Sequence, residues 1–172
     1  MLFRSYTLTG DTLTLVGSNG TAPVIRVGDG STAGAGYTAT IDNVIAGTDG
    51  LTKSDLGTLV LAGANTYSGG TTINGGTLEV ANNAALGTDS VTVDNTAHQG
   101  ATLKVDSGVT LANTIAVNNG STLDNAGTIS HTNAGDIGVN ATGGMATVIN
   151  HDGGSIAGGV IGLWLHTGGT VV

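Results

Sequence analysis

The sequence contains no cysteine, a single proline and few charged side chains, which make up 9% of its 172 residues. Without cysteine no disulfide can form, so stability has to come from packing and from backbone hydrogen bonds. Aromatic residues account for only 3% of the chain. Interaction hot spots are typically built on Trp, Tyr and Arg, so this composition argues against a dedicated sugar-stacking groove.

Positive charge is also scarce. The formal net charge is −8, and the side chains with a fixed positive charge are Arg4, Arg26, Lys53 and Lys104. Binding to nucleic acid or to anionic lipid needs clustered Lys and Arg, whereas these four are scattered along the chain. No apolar run approaches the roughly 18–20 residues that cross a bilayer. We therefore expect neither nucleic-acid binding nor membrane insertion by this segment.

Glycine, in contrast, is abundant. The 31 glycines follow no Gly-X-Y period, which excludes collagen, and 39% hydrophobic residues argue against simple disorder. Within residues 51–80, three short pieces alternate apolar and polar residues, which is typical of strands with one buried face. These pieces are residues 59–61, 71–73 and 78–80, and the corners between them are Gly63, Gly69-Gly70 and Gly75-Gly76.

Strands this short cannot hold a core alone, so each must stack on a similar strand elsewhere in the chain. The spacing of leucines agrees, since Leu59 to Leu78 is 19 positions, Leu78 to Leu103 is 25 and Leu103 to Leu123 is 20. The sequence therefore predicts an all-β fold, a right-handed single-stranded parallel β-helix (β-solenoid) with about 20–25 residues per turn. Asn-Gly and Asp-Gly pairs, which also close antiparallel hairpins, leave a β-sandwich as the rival fold.

The same alternation predicts which side chains face the core, because successive residues of a strand point to opposite faces of its sheet. The side chains expected in one narrow interior are Leu59, Leu61, Ile73, Leu78 and Val80. Val60 and Glu79 are expected outside. We expect Tyr67 to pack over a corner of the coil and Trp164, which stands between two leucines, to face outward.

A second, imperfect repeat pair spans residues 125–172. Its two copies repeat at 24 positions between Ile137 and Ile161 and at 23 positions between Thr147 and Thr170. This offset is again one turn of a β-solenoid. The second copy stops one residue short of the first, so we expect a larger protein to continue the coil beyond it.

The order of residues within 51–80 is also distinctive. Residues 57–61, GTLVL, lead to residues 63–78, GANTYSGGTTINGGTL, which combine asparagine, tyrosine, paired glycines and a second glycine-threonine-leucine. In this order they resemble the passenger-associated transport repeat of bacterial autotransporters, also described as the autotransporter-associated β-strand repeat. Asp55 and Leu56 depart from the small residues that are usual in the family at that place.

The resemblance implies a structural role for residues 1–172 as one β-helix segment of a larger passenger. Such a passenger is secreted or displayed on a Gram-negative cell, where the segment supports secretion across the outer membrane and acts as the stalk of an adhesin. The implied partners are the remainder of the same chain, with further β-helix turns and a C-terminal barrel, and a host or neighbouring-cell surface. Residues 1–5 lack the basic start and apolar core of a signal peptide, so we expect an internal fragment.

No pattern in the sequence indicates catalysis, and we expect no catalytic, metal-binding or cofactor-binding residues. The histidines are His98, His131, His151 and His166. His131 and His151 are 20 positions apart, which predicts adjacent turns, but a third metal ligand is not evident. Ser68 and Ser107 each precede a glycine at an ordinary corner, without the GxSxG motif of a nucleophile elbow.

A β-helix enzyme that acts on polysaccharides, a lyase or a hydrolase, is the alternative function. Enzymes of this class need clustered acids, usually with a basic residue, on one outer face. Here the acids are aspartates and Glu79, mostly beside glycine or asparagine, and Arg26 and Lys104 have no evident partners. The sequence therefore favours a structural protein over an enzyme.

Two binding functions of other solenoids also bear on this chain. Residues 27–30, VGDG, have the composition of calcium-binding solenoids but no tandem GGxGxDxUx repeat, so corner aspartates are the better interpretation. An ice-binding face would need threonine once per turn at a fixed offset. Segments 7–9, 12–14 and 38–40 have the local form without such recurrence, so we expect no flat, regular threonine array but outward threonines that favour strand geometry.

Overall fold

The structure is a computed structural model that describes residues 5–18, 20–97, 99–131, 137–158, 161–165 and 170–172. In these residues short strands follow one another, and no α-helix is present. The strands of the first half are β1 Ser5–Leu8, β2 Leu13–Thr14, β3 Val24–Arg26, β4 Thr38–Ile41, β5 Ile45–Ala46, β6 Leu51–Ser54, β7 Thr58–Leu61, β8 Thr71–Ile73, β9 Gly75–Val80 and β10 Val91–Asp94. Those of the second half are β11 Gln99–Val105, β12 Thr110–Leu111, β13 Ile115–Asn118, β14 Thr122–Asn125, β15 Thr128–Ser130, β16 Ile137–Thr142, β17 Thr147–Asn150, β18 Ser155–Ala157, β19 Ile161–Leu165 and β20 Thr170–Val171.

The strands wind into a coil with two long parallel ladders and a shorter third face. The first face contains β1-β4-β7-β9-β11-β14-β17-β20, and the second contains β3-β6-β8-β10-β13-β16-β19. The third face carries β2-β5 near one end and β12-β15-β18 near the other. The predicted parallel β-solenoid is confirmed. The antiparallel pairing that a β-sandwich requires is limited, in the described part of the chain, to an isolated bridge between Ser18 and Thr21.

The predicted leucine spacing corresponds to a column of stacked core residues on the first face. Leu59 pairs with Leu78, Leu78 with Leu103, and Leu103 with Leu123. Neighbouring strands in such a ladder lie about 4.8 Å apart, so each turn buries the apolar face of the previous one. The column extends to Ala39 below and Val148 above.

The predicted inward and outward orientations are confirmed. Fully buried side chains include Leu59, Leu61, Ile73, Leu78 and Val80. Val60 and Glu79, which lie between them in sequence, are partly exposed on the outer surface. Tyr67 differs from its expected place over a corner, since it is fully buried within the core. Its side chain therefore belongs to the packing that joins the turns and not to their outer cover.

Turn length varies more widely than the sequence indicates. The shortest offset on the first face is the 19 positions from Leu59 to Leu78, and the longest is the 33 positions from Tyr6 to Ala39. The longer turn contains a 3₁₀ helix at Thr32–Gly36, capped by the Ser31 hydroxyl, which accepts a hydrogen bond from the amide of Ala33. Most of the extra residues bulge out at this corner and others lie between β2 and β3, so the ladder keeps its register.

The two copies of the second repeat stack as successive turns. The backbone pairs Ile137 with Ile161 and Thr147 with Thr170, at the offsets seen in the sequence. Ile129 likewise pairs with Ile156 on the third face. The glycine pair of the second copy, Gly168-Gly169, lies outside the described residues.

Candidate functional site

Among the residues that the structure describes, the buried charged side chains, Lys53 and Asp55, lie where the repeat of residues 51–80 begins. Strand β6 points Leu51 and Lys53 inward, and the second of these places a lysine in a column otherwise occupied by Ile25 and Ile73. Lys53 is 0% exposed. Its Nζ donates hydrogen bonds to the carbonyl oxygens of Ser54 at 3.1 Å, Asp55 at 2.7 Å and Gly75 at 2.9 Å.

These three carbonyls explain how a cation is tolerated in the core. An ammonium group has three donors, and a buried charge is costly unless each donor is used. Burial lowers the pKa of the Lys53 amine to about 8, while the negative charge of Asp55 acts in the opposite direction. The lysine is therefore a structural cross-link between its own corner and that of the next turn.

Asp55 reaches the turn on the other side. Its backbone is in the left-handed region at φ 69°, which turns the carboxylate toward the preceding turn. There one carboxylate oxygen, Oδ2, accepts hydrogen bonds from Arg26 Nε at 2.9 Å and from the Gly30 amide at 2.8 Å. Burial raises the pKa of the Asp55 carboxyl, but hydrogen bonds from Arg26, Leu56 and Gly30 outweigh this effect and hold the pKa below its usual range.

Two glycines allow these turns to approach so closely. A Cβ at Gly28 would lie 2.6 Å from Cγ of Asp55, and a Cβ at Gly76 would lie 2.4 Å from the Asp55 carbonyl oxygen. Both also have positive φ, at 137° and 61°, which disfavours other residues. The second glycine of the Gly75-Gly76 corner is thus required by the corner stacked beneath it.

Asn65, the asparagine of the repeat, links neighbouring turns in a part of the coil that has no strand. Residues 62–70 contain no strand, yet Asn65 is buried and bonds in both directions. Its Oδ1 accepts from the Ile45 amide at 2.8 Å, and its Nδ2 donates to the Ala85 carbonyl at 2.6 Å. The side chain satisfies two buried backbone groups on adjacent turns, which a regular ladder would otherwise pair.

Two basic side chains on the outer surface, Arg26 and Lys104, are paired, contrary to the expectation. Arg26 bonds to Asp55, as described above, and Lys104 Nζ lies 2.9 Å from Glu79 Oε2 and 3.4 Å from Asp106 Oδ1. Although Asp106 is only two positions from Lys104, the expectation was wrong because the cross-turn partners, Asp55 for Arg26 and Glu79 for Lys104, are 29 and 25 positions away in sequence. Pairing at that distance follows from the stacking of turns, which local sequence does not reveal.

Threonine recurs once per turn on the first face, a recurrence that the segments named in the sequence did not lead us to expect. The aligned residues are Thr38, Thr58, Thr77, Thr102, Thr122, Thr147 and Thr170. Each of these threonines directly precedes a residue of the central core column. The recurrence was therefore visible in the sequence as repeated Thr-Leu pairs, whose leucine spacing predicted the coil. The next outward column contains Val60, Glu79 and Lys104, so the threonines form a single file and not a flat threonine surface.

His131 and His151 lie at separate corners. The amide of His131 bonds to the Ala157 carbonyl, and that of His151 bonds to the Asn125 carbonyl, so 20 positions do not make one turn here. The His151 ring contacts the Asp124 carboxylate, whereas Nδ1 of His131 lies 2.7 Å from the Ala112 carbonyl oxygen. His98 and His166 lie outside the described residues.

A polar groove at the corner of His131 brings a serine, a histidine and an aspartate together. Ser90 and Asp89 line it with His131, but Asp89 accepts a hydrogen bond from the amide of Ser90. The Ala112 carbonyl contacts the imidazole Nδ1, which is the nitrogen that the aspartate of a catalytic triad would contact. Ser68 and Ser107, the serines of the sequence corners, are exposed and lie elsewhere on the coil.

No group of three or more His, Asp or Glu side chains is positioned to hold a metal ion within the described ranges. Asp29, in the calcium-like VGDG segment, accepts hydrogen bonds from the amide and hydroxyl of Ser31. Trp164 is 43% exposed and is aligned with Asn140, in agreement with the expected outward orientation. Among the residues that the structure describes, no helix is long and apolar enough to cross a membrane.

Comparison with known proteins shows what this chain is similar to. A family model, the passenger-associated-transport-repeat, matches residues 51–80, which confirms the resemblance seen in the sequence. A relative, the adhesin BmaC autotransporter of Brucella suis biovar 1 (strain 1330), is 56% identical over 86 residues. The match covers 50% of this chain and 2% of that protein, so the chain spans a very small part of its relative. No solved structure matches the chain.

Proposed function

We propose that this chain is a structural β-solenoid segment of an autotransporter passenger, secreted or displayed on the surface of a Gram-negative bacterium. It supports secretion across the outer membrane and serves as part of an adhesin stalk. The observation that carries the proposal is the unbroken eight-strand ladder of the first face, which runs the length of the described coil. The repeat match and the adhesin name of the relative support it.

The physical basis for a role in secretion is that the coil folds by addition of turns. Each new turn pairs with the exposed strand edge of the last and covers its apolar core, as Leu103 covers Leu78 and Leu123 covers Leu103. Stability of such a fold is approximately a sum over neighbouring turns, so folding can propagate along the axis. The free energy of a chain that emerges unfolded therefore falls with each turn that forms outside the membrane.

A structural role also fits the use made of the charged side chains. Glu79, Asp106 and Asp55, which an enzyme of the polysaccharide-acting class would need as free acids, each pair with a lysine or arginine. The Asp55 carboxylate is buried as well. We propose that the segment has no catalytic role, and that residues 1–172 act as one solenoid unit with residues 51–80 as its repeat.

A deletion of one whole turn in the parent protein tests the proposal. Removal of residues 103–122 joins Thr102 to Leu123, which occupies the ladder position of Leu103, so core and threonine columns stay in register. Removal of residues 103–112 starts at the same junction but shifts the ladder by about half a turn. We expect the whole-turn deletion to be displayed and to support adhesion like the unmodified passenger, and the half-turn deletion to be poorly displayed.

Surface display is measured by protease accessibility on intact cells, and adhesion by cell binding at matched display. Equal display of both deletions would contradict a role for continuous stacking in secretion. Loss of adhesion in the well-displayed whole-turn deletion would contradict the stalk role, because it would show that the deleted turn contacts the adhesion target.

A further inference from the structure

The charged groups at the start of the repeat connect three turns and not two. Lys53 bonds to the Gly75 carbonyl of the following turn, here called the upper turn. Asp55, two residues later, bonds to Arg26 and to the Gly30 amide of the preceding turn, here called the lower turn. Lys53 also holds the Asp55 carbonyl at 2.7 Å. The upper and lower contacts therefore share one short segment of backbone.

Each turn of a solenoid generally interacts only with its nearest neighbours, and here the contacts of the middle turn with both neighbours share the segment from Lys53 to Asp55. We propose that Arg26, Lys53 and Asp55 form a three-turn clamp that makes the corners at residues 26–30, 53–57 and 74–77 open as one cooperative unit. The clamp concerns the folding of this chain, so it is independent of the proposed function.

Coupling follows from the geometry of the shared segment. If the upper turn opens, the buried Lys53 ammonium loses the Gly75 carbonyl, and a buried donor without a partner is costly. The ammonium then has to move toward solvent, which releases the carbonyls of Ser54 and Asp55. Without those bonds the left-handed backbone of Asp55 is no longer held in place. Its carboxylate then no longer points at Arg26 and Gly30 of the lower turn.

The reverse coupling depends on the space around Asp55. Gly28 lies against its carboxylate and Gly76 against its carbonyl, so the corner fits between the two neighbours only in this conformation. If the lower turn opens, the Asp55 carboxylate loses its hydrogen bonds from Arg26 and from the Gly30 amide and has to move into contact with solvent. The carbonyl that faces Lys53 moves with it, and the upper contact weakens.

Native-state hydrogen exchange on the wild-type chain tests the clamp directly. The Val27 amide bonds to the Ser54 carbonyl across the lower interface, and the Thr77 amide bonds to the Gly57 carbonyl across the upper one. We expect these two amides to show the same free energy of opening and the same dependence on denaturant. Distinct values for the two amides would overturn the proposal, and this comparison needs no variant.

A matched pair of lysine substitutions gives the second test. Lys53→Met removes the upward bond, so we expect exchange at Asn74 and Thr77 to accelerate by roughly 10- to 100-fold, with a smaller change at Val27. Lys104→Met is the same chemical change at a partly exposed cross-turn ion pair and is expected to leave all three amides unchanged.

Two outcomes of the lysine pair would contradict the clamp. Unchanged exchange at Asn74 and Thr77 in Lys53→Met would show that Lys53 does not hold the upper turn. Equal acceleration at Ala62 and Ala81, whose amides bond between the same turns at another corner, would show a general loss of packing. If Lys53→Met fails to fold, the wild-type comparison decides.

A matched pair of glycine substitutions tests the contact between Asp55 and the lower turn. Gly28→Ala places a Cβ against Cγ of Asp55 and is expected to accelerate exchange at Gly30 and Val27, and with them at Thr77. Gly153→Ala adds a Cβ at another glycine with positive φ, where nothing lies within 4 Å, and controls for backbone strain. Acceleration at Gly30 with none at Thr77 would show that the two interfaces open separately.

Discussion

The hydroxyl oxygen of Tyr67 lies 2.5 Å from that of Thr71, and both side chains are buried in the core. Thr71 stands in a column where its neighbours are Leu51 below and Val91 above. A hydroxyl at that position needs a partner, because a buried polar group without one destabilises the fold. Tyr67 and Thr71 thus supply each other with the hydrogen-bond partner that each buried hydroxyl needs.

Tyr67→Phe is expected to lower the free energy of unfolding by about 1 kcal/mol, because it removes a buried hydrogen bond while the ring still fills the core. Tyr37→Phe is the matched control, since the Tyr37 hydroxyl makes a long, exposed contact of 3.5 Å with Asp29. Urea unfolding of the two variants measures the difference. Equal losses in both would show that the Tyr67–Thr71 bond adds nothing.

Stability is expected to rise with pH between about 8 and 10 because of Lys53. Burial lowers the pKa of this amine to about 8 from 10.5, so in this interval the unfolded chain binds more protons than the folded one, and raising the pH favours folding. The charged groups close to the amine are Asp55 and, through it, Arg26. The full effect corresponds to about 3 kcal/mol, from about 1.4 kcal/mol per pKa unit.

The measurement is the free energy of unfolding against pH, for the wild type and for Lys53→Met. The variant should lack the rise. Above pH 10 a contribution of opposite sign begins, because burial raises the pKa of Tyr67 to about 12 and only the unfolded chain then loses that proton. A wild-type profile that falls steadily from pH 8 would contradict the assignment to Lys53.

Asn65→Ala is expected to destabilise the chain by about 2–4 kcal/mol, since it leaves the Ile45 amide and the Ala85 carbonyl buried without partners. Asn83→Ala provides the comparison, because Asn83 also bonds across turns, accepting from the Thr110 amide, but at an exposed site where water can replace it. Chemical unfolding should show a loss below about 1 kcal/mol for the control. Similar losses would mean that burial of the asparagine is not what matters.

Leu103→Ala is expected to cost about 2–5 kcal/mol, because it opens a cavity in the core column between Leu78 and Leu123. Thr102→Ala changes the preceding residue on the outer face and is expected to cost less than about 1 kcal/mol. Thermal unfolding followed by circular dichroism distinguishes them. Comparable losses at the two positions would contradict the inward and outward assignment of this strand.

The core of the fold was predictable because it follows from alternation and spacing alone. Alternation placed Leu59, Leu61 and Ile73 inward, and leucine spacing gave the ladder from Leu59 to Leu123, as found. The 33-position first turn was not predictable, since its extra residues lie in corners outside the ladder. Its length depends on loop sequence, which leaves no periodic signal.

The polar contacts of the candidate site were predictable only in part. Alternation from Leu51 already places Lys53 on the inner face, yet its charge favours a surface position. The three carbonyls that accept its hydrogen bonds are placed by the backbone geometry of two turns, which the sequence pattern does not reveal. The partners of Arg26 and Lys104 depend on which turns are neighbours and on the length of each turn. The column of threonines on the first face could have been predicted, since the Thr-Leu pairs repeat with the same spacing as the leucines.

The corner at residues 27–37 shows that this rod tolerates unequal turns. Its additional residues, with the 3₁₀ helix at Thr32–Gly36, extend sideways while Tyr6 and Ala39 remain paired. Insertions at such corners therefore change the outline of the rod without altering its axis or the path of its core. A gene that encodes such a rod can acquire new surface loops one corner at a time, and selection can act on each loop while the scaffold is inherited intact.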